Sequence, residues 1–113
     1  MDPHAFKIVF VTAPDLSCAR TLAHEAVRLK LAACASLVPG LESHYWWNGE
    51  IQHSQEVLVI FKTCADAVPE LRTALLALHP YDTPEFVVTD ITQGDPRYLD
   101  WLRSHVTLNP TPL

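Results

Sequence analysis

The chain has 113 residues, 49% of them hydrophobic, and a net charge of −5 from 13 acids against 8 bases, which suits one domain (1–113) with its own core. The acidic balance argues against nucleic acid as a partner, because neutralising phosphates takes a basic patch and none is visible; no apolar run is long enough to span a membrane. Three cysteines, an odd number, suit a reducing compartment, and Met1-Asp2-Pro3-His4 lacks the basic and apolar parts of a signal peptide, so the expected location is the cytoplasm.

Taken in chain order, Phe6 to Val11 is an apolar run with β-branched residues and predicts a strand. Asp15 or Ser17 caps a helix whose Ala19, Leu22, Ala23, Ala26 and Val27 fall at helical spacing. Ala33 to Val38 predicts a second strand, and Pro39-Gly40 a bend. Ser43-His44-Tyr45-Trp46-Trp47-Asn48-Gly49-Glu50 predicts a hairpin tip, since Asn-Gly tolerates the positive φ values of a type I′ turn. A long strand follows over Ser54 to Thr63. Asp66 starts a second helix with Pro69 in its first turn and a stripe of Val68, Leu71, Leu75 and Leu78. His79-Pro80-Tyr81-Asp82-Thr83-Pro84-Glu85 is stiffened by its prolines and predicts an ordered loop. Phe86 to Thr92 predicts the last strand, and Asp95-Pro96 opens a short helix carrying Tyr98, Trp101, Leu102 and His105. The ordered core is expected to span about 6–106, with 107–113 a frayed tail.

The order β-α-β-β-α-β plus a final helix is the split βαβ pattern, an α+β ferredoxin-like sandwich with both main helices on one face of an antiparallel sheet. Yet Phe6, Ile8 and Phe10 alternate with Val9 and Val11, and Val57, Val59 and Phe61 with Leu58 and Ile60. A sheet apolar on both faces, covered by helices on one, predicts self-association. Adjacent Trp46 and Trp47 point to opposite faces of the hairpin and suit anchoring to a partner subunit.

Several short segments together resemble the CutA family of divalent-cation tolerance proteins. They are Thr12-Ala13-Pro14-Asp15, Leu31-Ala32-Ala33-Cys34-Ala35, Pro39-Gly40, Ser43-x-Tyr45-x-Trp47-x-Gly49, Glu56 with Lys62-Thr63, His79-Pro80-Tyr81-x-Thr83-Pro84-Glu85, and Gly94-Asp95 with Tyr98 and Trp101-Leu102. The match runs from about Phe6 to Val106. The resemblance implies a tight homotrimer like that of the PII signalling proteins, and a role in tolerance of copper and other divalent cations, with copper(II) binding. Of the ligands it implies, His79 is present, while Val11 stands where some members have cysteine and Leu78 where some have a second histidine.

His79 is thus one candidate metal ligand, the competing role being a hydrogen-bonding cap on the helix C-terminus. A second candidate site follows from hairpin geometry. With Asn48-Gly49 as the turn, His44 lies opposite His53, with Cβ atoms about 4.5–5.5 Å apart, and two imidazoles at that distance can chelate one ion. Tyr45, Trp47, Glu56, Lys62, Tyr81 and Glu85 are the candidates for lining an inter-subunit cleft, Glu56 and Lys62 being too far apart along their strand to pair with each other. Cys34 is expected to be an inert buried thiol. No nucleophile has a recognisable base nearby and no Gly-rich phosphate loop exists, so the expected protein is not an enzyme. Two functions compete: a weak binder of copper(II) or related divalent cations, and a PII-like trimeric adaptor that takes a small molecule or protein in its clefts.

Overall fold

Asp15 accepts a hydrogen bond from the Cys18 backbone N–H at 2.8 Å and so caps the first helix by satisfying one of its orphan donors. The computed structural model describes residues 5–107; of the expected tail only Thr107 falls among them, and its backbone N–H donates to the Lys30 carbonyl at 2.8 Å. The elements are β1 (Phe6–Ala13), α1 (Leu16–Arg28), β2 (Cys34–Trp47), β3 (Glu50–Cys64), a 3₁₀ turn (Ala65–Ala67), α2 (Val68–Leu78), β4 (Val87–Asp90) and α3 (Pro96–Ser104). The four strands form one antiparallel sheet in the order β2-β3-β1-β4.

Alternation along the strands builds two faces. Val9 and Val11 of β1 and Val57, Val59 and Phe61 of β3 point inward and pack with Ala19, Leu22 and Ala26 of α1 and Leu71 and Leu75 of α2. On the outer face, Ile8, Phe10, Leu58 and Ile60 are only half-buried, and Val38 and Val87 are exposed. The doubly apolar sheet expected from the sequence is present. Its outer face is partly served by α3, whose Leu102 packs with Ala33, Cys64 and Ala67 in a second, smaller cluster.

Several sequence expectations need correction. β2 runs unbroken through Pro39-Gly40, because the bend is a β-bulge: β2 gains one residue on β3 between Val38 and Leu41, with Gly40 at φ +83°. β3 starts at Glu50, not Ser54, since the hairpin ladder is continuous down to the turn. α2 begins at Val68, the chain around Asp66 being 3₁₀. β4 covers only Val87 to Asp90, paired with Lys7 to Phe10 of β1; the Ile91 N–H still donates to the Phe6 carbonyl at 3.0 Å before the chain turns towards α3. Val27 and Leu78 are exposed, one lying at the flank of its helix stripe and the other at the end of α2, where the chain leaves the core. Cys34 is half-buried beneath Tyr98, its Sγ 3.7 Å from the hydroxyl; the fully buried cysteine is Cys64.

Candidate functional site

The Asn48-Gly49 turn has φ values of +52° and +77°, which suit a type I′ turn, and it fixes the register of everything below it. Trp47 pairs with Glu50, Trp46 with Ile51, Tyr45 with Gln52 and His44 with His53, as the hairpin geometry predicts. Because β1 ends opposite Val57, residues 41–56 form a two-stranded ribbon that projects beyond the sheet.

The bulge decides which side chains face where. Before it, even-numbered residues of β2 lie on the outer face; after it, Leu41, Ser43, Tyr45 and Trp47 do, alongside Glu56. The loop between α2 and β4 meets this side of the ribbon. Tyr45, Trp47, Glu56, Tyr81 and Glu85 therefore line one open groove of about 870 Å³, with Thr12 in its wall. The two stretches that stood out in the sequence come together here. Asp82 was not anticipated, although it sits inside the Pro-bracketed segment. Lys62 is elsewhere: its Nζ stands 5.6 Å from the centroid of the Tyr98 ring, a cation–π distance.

Glu56 and Lys62, too far apart to pair with each other, thus each find another partner within the chain. The Tyr81 hydroxyl donates to Glu56 Oε2 at 2.8 Å. Burial, then the hydrogen bond to Glu56 and its charge, push the Tyr81 phenol well above its ordinary value. Below pH about 10 both folded and unfolded chains keep this proton, so the group's contribution to stability is fully present and does not change with pH. Above that, the unfolded chain loses the proton first and stability falls as pH rises. Tyr81→Phe is expected to flatten the alkaline loss measured by denaturant unfolding at stepped pH; an unchanged slope would show that the phenol is not held as the geometry implies.

His79 closes α2 as its C-cap and is buried. Its Nδ1 accepts from the Tyr81 backbone N–H at 3.1 Å and its Nε2–H donates to the Thr12 carbonyl at 2.7 Å. That pattern fits the Nε2–H tautomer and leaves neither ring nitrogen open. His79 ties the loop to the end of β1, so the capping role read from the sequence extends to a tertiary link.

The hairpin histidines are arranged differently. The rings of His44 and His53 lie 5.6 Å apart, centroid to centroid, with planes 30° apart. Glu42 Oε2 is 2.7 Å from His44 Nε2. This hydrogen bond, with the charges of His44 and His53, holds the Glu42 carboxyl below its ordinary value. The sequence reading missed Glu42, although its two-residue spacing from His44 puts both on one ribbon face. Among the described residues no three His, Cys, Asp or Glu side chains stand already gathered around one point.

Comparison with known proteins bears on what this arrangement serves. The family described as CutA1 divalent ion tolerance protein matches residues 7–105. The divalent-cation tolerance protein CutA of Thermus thermophilus is 46% identical over 99 residues, 88% of this chain and 96% of the relative. That of Escherichia coli O139:H28 is 43% identical over 97 residues, 86% of this chain and 87% of the relative. The crystal structure of CutA from Xylella fastidiosa superposes with a TM-score of 0.89 at 37% identity, covering 91% of this chain and 99% of the other.

Proposed function

Because this chain belongs to the CutA1 divalent ion tolerance family, we propose that it works in tolerance of copper and other divalent cations as a non-catalytic homotrimer of ferredoxin-like subunits in a PII-like arrangement, binding copper(II) or related cations weakly. The observation that carries the assembly is the unpartnered apolar surface: a half-covered outer sheet face and a projecting ribbon with Trp46 72% and Trp47 61% exposed. A two-stranded ribbon is marginal in water by itself and gains stability by packing on something. The ribbon tip and the sheet face are different surfaces, so tip-on-face contact is heterologous, the kind that builds rings when its rotation closes and not twofold dimers. The threefold closure comes from the family likeness. Light scattering coupled to size exclusion is expected to give three times the 12.7 kDa chain mass; a monomer mass at micromolar concentration overturns the assembly.

The family's cation does not fit His79, whose two nitrogens are both engaged. The exposed imidazoles on the ribbon are the donors that suit it. A second reading, adaptor function, is favoured by the groove, which is of the size that holds a small organic ligand. A melting screen against small molecules is its test, a stabilising hit lost in Tyr81→Ala being the supporting result.

A further inference from the structure

We propose that Glu42, His44, His53 and Gln55 form a copper(II) site on the ribbon, on the face opposite Tyr45 and Trp47, with His44 also reaching the edge of the groove. This deepens the cation reading by naming a site for the ion.

Glu42 lies opposite Gln55 and His44 opposite His53, so two rungs of the ladder, one on each side of Ser43–Ser54, put four side chains on one face. Together they offer two imidazole nitrogens and two oxygens, a set that suits the tetragonal preference of copper(II). The spacing is right for a shared ion. A metal about 2.0–2.1 Å from a ring nitrogen lies about 3.2 Å from the ring centroid, so one ion can serve two rings up to about 6 Å apart. The observed separation is 5.6 Å. Glu42 already places a carboxylate oxygen 2.7 Å from His44 Nε2, beside the position a metal on that nitrogen would take.

What the rings lack is aim. At 30° between planes they are closer to stacked than to converging, and turns about χ2, a torsion with a broad well, bring the nitrogens together. His44 and Glu42 have side chains 58% and 64% exposed, so neither has to leave a packed setting to turn. The strands hold the backbone positions, so that binding costs little beyond side-chain order. Affinity is accordingly modest, in keeping with a tolerance role and not with a permanent structural metal.

Copper(II) chloride titration of the whole chain at neutral pH, read by calorimetry and electron paramagnetic resonance, tests this. Wild type is expected to bind one ion per chain with coupling from two nitrogens. His44→Ala and His53→Ala are each expected to weaken binding at least tenfold and to lose one of those couplings, while exposed His24→Ala leaves both readouts unchanged. Circular dichroism confirms that the variants fold. Wild-type binding that persists with equal affinity in both ribbon variants overturns this site and leaves the cation reading standing. No binding in wild type overturns both.

Discussion

Replacing Trp46 and Trp47 together by alanine is expected to break the assembly into monomers, lowering the mass in solution from three times 12.7 kDa to 12.7 kDa. Both rings are mostly exposed on their own subunit, Trp47 along the wall of the groove, so truncating them removes little that holds the subunit together. Each offers about 150–250 Å² of surface to a neighbour, and buried tryptophans at the centre of an interface typically cost about 2 kcal/mol or more when removed. The loss recurs at each contact of a closed ring. Far-ultraviolet circular dichroism is expected to stay close to wild type, separating dissociation from unfolding. A trimer mass persisting at the lowest measurable concentration would show that the tip is not an anchor.

Phe61→Ala is expected to cost about 3–5 kcal/mol, a large part of the typical stability of one domain. Phe61 is 0% exposed, sits mid-strand on β3, and has Val9 and Ala35 across from it on the two flanking strands. Both helices pack over that layer, so neighbours cannot easily collapse into the gap. Ile60→Ala, one residue along and on the outer face, should behave differently. Its cost should grow with protein concentration, because its burial would come from another subunit. Urea unfolding at several concentrations reads both. A Phe61→Ala cost below about 1 kcal/mol would mean that the core repacks far more freely than this layering allows.

The parts of the fold set by short-range chemistry were legible in the sequence. Asn48-Gly49 fixes the hairpin register down to the His44–His53 pair, and Asp15 and Asp95-Pro96 mark helix starts. What escaped depended on distant partners. β4 is shorter than its apolar run, its ladder being confined to Lys7 to Phe10 of β1. The second ring nitrogen of His79 is taken by a carbonyl 67 positions away, which no local pattern announces. The cleft candidates lay in the aromatic hairpin and the Pro-bracketed loop, and they converge because one bulged residue turns Tyr45 and Trp47 to the side of Glu56. Lys62 shares that strand face, but six residues of extended chain carry it to the far end, beside Tyr98.

That bulge also bears on solubility. β2 is an edge strand along all 14 of its residues, and an edge so long, with aromatic residues at its end, invites a stray strand to dock and extend the sheet. Pro39 withholds an N–H from any such visitor, and Gly40 breaks the even spacing of the groups on either side. A strand arriving from solvent would meet two short ladders out of step with each other, and only one carrying its own bulge at the matching place could follow both. The irregularity that turns the ribbon's side chains therefore also opposes uncontrolled growth of the sheet.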